Sequence, residues 1–336
     1  MLPRILKAST LAVLLPLTMA NAAEVNVYSY RQPELVKPLF DAFTESTGIN
    51  VNVAFLNKGL VEKLIAEGKR SPADVVLTVD IARLAAVVAA GVTQPVESEI
   101  INANIPAEFR DPGMHWFGLT SRARVVFASK ERVDPADVTT YEGLADPKWR
   151  GRICIRSGTH DYNLGLFSGL LAHKGEDGTR SWLEAFRANL ARKPQGNDRG
   201  QVKAVWAGEC DIAIGNTYYM GEMLKNEEQI AWADSVNVIF PVFEGGGTHV
   251  NLSGMAMTAA APNRDNALKL MEFLSSPEAQ AIYAEANYEY PLLDGAAISP
   301  TVASWGSFEA DSVNLMDLAA LRAQTLKLIE EVHFDD

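Results

Sequence analysis

Hydrophobic and polar residues alternate along Glu24-Val-Asn-Val-Tyr-Ser-Tyr30, the period of two expected of a strand buried on one face. Pro33 then suits a first helical turn, and Leu35, Val36, Leu39, Phe40 and Phe43 recur at helical spacing until Gly48. Ile49 to Phe55 predicts a second strand. Leu60, Leu64 and Ile65 predict a second helix that stops near Gly68. Asp74-Val-Val-Leu-Thr-Val79 is almost continuously apolar, as a strand buried on both faces in a parallel sheet must be. A third helix is expected from about Ile81 to Ala90. Strand and helix thus alternate three times, which calls for an α/β fold with helices on both faces of a parallel sheet.

After a loop-rich stretch, Arg122 to Ala128 predicts a long strand crossing into a second unit. That unit starts again with a strand at Arg152 to Ile155, a Ser157-Gly158-Thr159 turn and a helix from about His160 to Leu171. Trp182, Leu183, Phe186 and Leu190 mark another helix. Further on come a helix near Val202 to Ala207 and a strand from Asp211 to Gly215. Strands at Val236–Phe243 and His249–Thr258 flank Glu244-Gly-Gly-Gly247, and the second of them is expected to return to the first unit. Helices follow around Ala267 to Leu274, from Ser276-Pro277-Glu278 onward, and from about Leu315 to Glu331. The reading is a two-lobed α/β protein. Residues 24–121 with about 249–300 form lobe 1, and about 122–248 with 301–336 form lobe 2, joined by hinge strands. Ligands in open α/β sheets bind beyond the carboxyl ends of strands, so two facing edges make a cleft that closes by hinge motion.

Composition agrees with this. With 48% hydrophobic and 21% charged residues, the 336-residue chain can bury two cores. The amino terminus changes the picture more. Arg4 and Lys7 precede the apolar run Leu11 to Leu17, and Ala20-Asn-Ala22 supplies small residues for cleavage. This is the pattern of a secretory signal peptide over residues 1–23, cut near Ala22 or Ala23, and the run is too short to span a bilayer. Loss of the leader's two basic residues takes the net charge from −12 to −14, which disfavours nucleic acid and anionic membranes as partners. In an oxidising compartment the two cysteines, Cys154 and Cys210, read as a disulfide between neighbouring strands. Two buried thiols are the alternative.

The chemistry concentrates at Tyr218-Tyr219, directly after the strand that begins at Asp211. A free phenol has a pKa of about 10, so two phenolates at neutral pH require a strongly Lewis-acidic cation such as Fe³⁺. Neighbouring side chains leave a strand on opposite faces, so the backbone must turn at Thr217 to Tyr219 for both to meet one ion. One core and one exposed tyrosine is the plainer alternative. The N–H groups of Ser157, Gly158 and Thr159 can hold an oxyanion, or the segment is an ordinary helix cap. Tyr162, in the first helical turn, can face the same space. Arg31, Arg122 and Arg124 fall near strand ends, suited either to neutralise an anion or to pair between lobes. Glu222, Glu227 and Glu228 read as a solvated face. The five histidines form no zinc pattern, and there is no nucleophile elbow or P-loop.

Several segments together resemble the periplasmic iron(III)-binding proteins of bacterial ABC importers, a branch of the type II solute-binding proteins. They include Val27-Tyr-Ser-Tyr-Arg-Gln-Pro33, Trp116-Phe-Gly-Leu-Thr120, Lys193-Pro-Gln-Gly-Asn-Asp198, Gly215-Asn-Thr-Tyr-Tyr219 and Gly247-Thr-His-Val-Asn251. The resemblance spans essentially the whole mature chain and implies the type II periplasmic-binding-protein fold. It implies Tyr218 and Tyr219 as Fe(III) ligands, Tyr162 as a third, and a small anion such as carbonate, bicarbonate or phosphate completing the shell. Positions matching one branch's anion-holding residues are Ser157, Gly158, Thr159, Asn197 and Asn216.

The chain departs from the family at the first lobe. One branch supplies a histidine and a glutamate there, and the matching positions hold Gln32 and Val79. Another has Arg-His-Tyr where this chain has Arg31-Gln32-Pro33. The expectation is that the second lobe holds the metal, with Arg31, Gln32 and Arg122 touching the anion. The implied protein is a monomeric, periplasmic, non-enzymatic carrier that delivers iron to an inner-membrane ABC permease. Competing readings are a metal-free binder of an oxyanion or small organic cation and, more distantly, an exported metal-dependent hydrolase. The hydrolase would have only His160 and Asp161 as nearby bases.

Overall fold

A computed structural model describes residues 23–336. Of the expected leader, residues 1–22 lie outside the described residues. Among those described, no helix is long and apolar enough to cross a membrane.

The first lobe opens with β1 (Glu24–Ser29), α1 (Pro33–Thr47), β2 (Asn50–Phe55), α2 (Leu60–Glu67), β3 (Val75–Thr78), α3 (Ile81–Ala89) and α4 (Glu99–Asn104). The long strand β4 (Phe117–Ser129) then leads to β5 (Ile153–Cys154), α5 (Asp161–Ala188), α6 (Asp198–Trp206), β6 (Ile212–Asn216), α7 (Tyr218–Leu224), α8 (Ile230–Asp234) and β7 (Val236–Ile239). The chain returns through β8 (Val250–Met257), α9 (Arg264–Ser275), α10 (Pro277–Asn287) and β9 (Tyr290–Pro291), and ends with α11 (Pro300–Ala303) and α12 (Leu315–Glu331).

The strands run in the order β2-β1-β3-β8-β4-β6-β5, with β7 and β9 also pairing with β4. The first three are parallel, as the alternating pattern predicts. β3 is buried along its whole length, which accounts for its continuous apolar run. Both lobes share β4. Its first half pairs with β8 and β9, and its second half with β6 and β7. All 13 residues of β4 are buried, so it runs through the interior where the lobes join.

Several boundaries differ from the sequence reading; the long strand expected from Arg122 already begins at Phe117, and the one expected over Arg152–Ile155 is only Ile153–Cys154. The strand expected over Val236–Phe243 stops at Ile239, because the segment beyond it leaves β4. The two helices expected after Thr159 abut in one run, α5, broken only at Gly175, where φ is 68° and ψ is −177°. A left-handed φ suits glycine there.

One core packs α1, α9 and α10 around β1, β3 and the start of β4, with Phe40, Phe43 and Leu270 inside. Another collects Phe167, Trp182, Phe186 and Phe243 in the second lobe. The last helix touches both lobes. Leu315 and Leu318 pack with Ile81, Leu84 and Trp116, while Leu328 and Ile329 join the second-lobe core. Cys154 and Cys210 form a disulfide with Cα atoms 5.9 Å apart.

Candidate metal centre

β6 is buried throughout and ends at Asn216. Thr217 already has helical torsions (φ −51°, ψ −46°), so Tyr218 and Tyr219 begin α7 instead of extending the strand. This is the turn that the tyrosine pair requires. Both rings are half-buried, with centroids 4.3 Å apart. Tyr162, in the first turn of α5, brings its phenol oxygen to 3.1 Å from that of Tyr218. The three phenols share one wall of a cavity of about 410 Å³ between the lobes.

A buried polar network fixes this geometry. Arg124 Nη1 donates to Asp198 at 2.6 Å and to Asn216 Oδ1 at 3.0 Å, while its Nη2 donates to Asn163 Oδ1 at 2.6 Å. Asp198 also accepts from Arg156 and from the Asn216 N–H. The beginnings of α5 and α6 are thus tied to the end of β6. Arg124 is a structural tie and is not available to a ligand. His160 caps α5, its Nδ1 accepting the Tyr162 N–H at 3.2 Å. Burial first, then the charges of Arg156 and Arg124, push His160 down to about 4, so it stays neutral at neutral pH.

The metal-free phenols resist ionisation. Burial, then the neighbouring Tyr162 and Tyr219, raise Tyr218 well above the ordinary phenol value, with Arg122 opposing. Burial and Tyr162 raise Tyr219 likewise. Only a strong cation can hold these groups as phenolates.

The cavity is also lined by Arg31, Gln32, Val79, Arg122, Arg199, Glu222 and Glu289. Arg31 Nη2 lies 2.8 Å from Glu289 Oε1 in a buried ion pair. Arg122 Nη1 donates to Ser253 Oγ at 2.9 Å. Among the described residues, neither Arg122 nor Arg199 forms an ion pair with a carboxylate, so the cavity lining retains positive charge.

The other expected anion contacts are elsewhere. Ser157 Oγ and the Gly158 N–H both donate to Asp335. The Thr159 N–H donates back to Ser157 Oγ at 3.2 Å. Asn197 caps α6, accepting the Gly200 N–H at 2.9 Å, and Asn216 is bound to Arg124. None of these five lines the large cavity.

Sequence reasoning placed Glu222 on a solvated face, but it lines the cavity. It lies four residues after Tyr218 on α7, a helical spacing that was available as a signal. Arg199 was missed although it follows Asn197 by only two residues. Nothing local marks Glu289, whose partner Arg31 is 258 residues away. Among the described residues, no group of three or more His, Cys, Asp or Glu side chains is placed to hold a metal. The phenols are the hard-donor cluster of this cleft.

Residues 38–310 match the family model described as bacterial extracellular solute-binding protein. The chain belongs to this family. As a member it is similar to "Iron uptake protein A1" of Synechocystis, 46% identical over 94% of this chain and 88% of the relative. It is 29% identical to the "Major ferric iron-binding protein" of Neisseria meningitidis over 85% of this chain and 86% of that one. Among solved structures, the Mannheimia haemolytica ferric iron-binding protein A in an open conformation superposes with a TM-score of 0.89. It shares 48% identity and covers 94% of this chain and all of that one. A Trichodesmium protein in complex with iron and citrate gives 0.88 at 42% identity, over 93% of this chain and all of the other. The overall fold is therefore common to this chain and these solved structures.

Proposed function

We infer that this chain is an exported ferric-iron carrier that captures Fe(III) in the interlobe cleft and delivers it to an ABC permease. It works as a monomer in the periplasm after loss of its leader, without catalysing a reaction. The observation that carries this reading is the convergence of Tyr162, Tyr218 and Tyr219 on one wall, with two phenol oxygens 3.1 Å apart. Three phenolates neutralise Fe³⁺, and hard oxygen donors suit a hard cation. Relatives named for iron uptake and ferric iron binding support the choice of metal.

To Arg31, Gln32 and Arg122 we assign the small anion, carbonate, bicarbonate or phosphate, that fills positions the phenols leave open. They line the same cavity as the tyrosines, and among the described residues Arg122 forms no ion pair with a carboxylate. The same lining suits an oxyanion bound without metal, and one experiment separates the readings. Metal-stripped protein is titrated with Fe(III) and, separately, with carbonate and phosphate. Phenolate-to-iron colour that disappears in Tyr218→Phe/Tyr219→Phe supports the carrier. Tight anion binding with no iron uptake refutes it.

A further inference from the structure

The turn Ser157–Thr159 has the chemistry of an oxyanion cradle, and a side chain of the same protein fills it. Asp335, just beyond α12, places one carboxylate oxygen 2.5 Å from Ser157 Oγ and the other 2.7 Å from the Gly158 nitrogen. Both groups donate, so the carboxylate is held as a bidentate oxyanion would be. Its neighbour Phe334 secures the approach. That ring is buried, 5.4 Å from Phe167 and 6.0 Å from Phe186 between centroids. It also lies over Gly158, where a Cβ would come within 2.6 Å of a ring carbon. The turn therefore needs glycine for this contact, and the pair Phe334-Asp335 is seated by both shape and charge.

We propose that Asp335 is the resident anion of the Ser157–Thr159 turn and that it bars small oxyanions from it. A phosphate arriving there meets a carboxylate that is already tethered at high effective concentration and carries charge of the same sign. Asp335 thereby keeps the turn, which does not line the large cavity, from acting as a second anion site. It also steadies the site. Asn163 Nδ2 donates to Ser157 O at 2.9 Å, and Asn163 Oδ1 accepts from Arg124, which holds Asp198 and Asn216. The turn that Asp335 grips is thus wired to the end of the strand before the tyrosine pair. The proposal rests on the iron reading only for its consequence at the metal. Occupation of the turn is tested without metal.

The test is calorimetric titration of metal-free full-length protein with inorganic phosphate. Asp335→Ala is expected to bind phosphate roughly tenfold or more tighter than wild type, as a cradle of two freed donors should. Adding Ser157→Ala to that variant should remove the gain. Asp335→Asn is isosteric and uncharged, so it supplies the same comparison if the alanine variant folds poorly. Here too tighter phosphate binding is expected. Unchanged phosphate affinity in a folded Asp335 variant overturns the proposal, as does Ser157-dependent phosphate binding by the wild type. In the iron-loaded protein, phosphate should shift the visible band of Asp335→Ala more than that of the wild type. If no iron colour forms at all, the carrier reading fails while the phosphate titration still decides the role of Asp335.

Discussion

The phenol oxygen of Tyr162 lies 3.1 Å from that of Tyr218, although 56 residues separate them. Two elements, the first turn of α5 and the start of α7, meet to make this contact. If both oxygens bind one ferric ion, Tyr162→Phe should weaken iron binding by about a hundredfold or more and shift the visible band. The fold should lose only about 1 kcal/mol, the worth of one ordinary hydrogen bond. Competition against a chelator, followed in the visible, checks the first point, and chemical denaturation checks the second. Iron affinity equal to wild type removes Tyr162 from the ligand set.

Burial holds the metal-free Tyr218 and Tyr219 phenols above their ordinary range, so both are protonated at neutral pH. Iron must displace those protons. Binding by all three tyrosines releases about three protons per metal, and affinity falls steeply as pH falls. The sign is fixed, because acid favours the protonated, metal-free form. Calorimetry at pH 7 in buffers of different ionisation enthalpy counts the protons. Release of fewer than two contradicts the phenolate model.

Arg31 and Glu289 are 7% and 1% exposed and 2.8 Å apart. Burial works to raise the Glu289 carboxyl, but Arg31 and Arg122, with the Thr120 hydrogen bond, hold it below its ordinary value. Its stabilising contribution is therefore present above the usual carboxylate range and lost as pH falls through its depressed value. Glu289→Ala leaves Arg31 buried without a charge partner, held only by Ser253 and Asn287, and should cost about 3–5 kcal/mol in denaturant unfolding at neutral pH. A loss below about 1 kcal/mol would mean that water or another group takes over the pairing.

His249 is buried before β8, where Gly165, Phe243 and the guanidiniums of Arg122 and Arg124 face it, with Asp311 opposing them. Burial first, then the charge of Arg124, pushes it down to about 3. The unfolded chain binds this proton below about pH 6.5 and the folded chain does not, so stability falls as pH drops from there toward 3. Between pH 7.5 and 5 the loss from this group should be about 2 kcal/mol. His249→Gln should lack that increment when denaturation is compared at the two pH values. An identical pH dependence in the variant would show that His249 titrates freely in the native state.

The strands and helices were largely legible because each is set by neighbours in the chain. β1, α1, β2 and β3 follow from the spacing of apolar residues, and α12 runs from Leu315 to Glu331 as its pattern predicts. The cysteine pair was legible from export and strand placement, and the tyrosine pair from its position after β6. The direction of Tyr218 and Tyr219 was a requirement that only the helical torsions at Thr217 met.

By itself the sequence determined the α/β alternation, the two lobes and the chemistry available to the cleft, since periodicity and residue type are local properties. Tertiary structure decided which of that chemistry is free. It tied Arg124 to Asp198, paired Arg31 with Glu289 while keeping it on the cavity lining, turned Glu222 toward the cavity, and gave the Ser157–Gly158 donors to Asp335, 178 residues from Ser157. A polar group's availability depends on the partner that packing brings to it. When that partner is hundreds of residues away, only the folded chain names it.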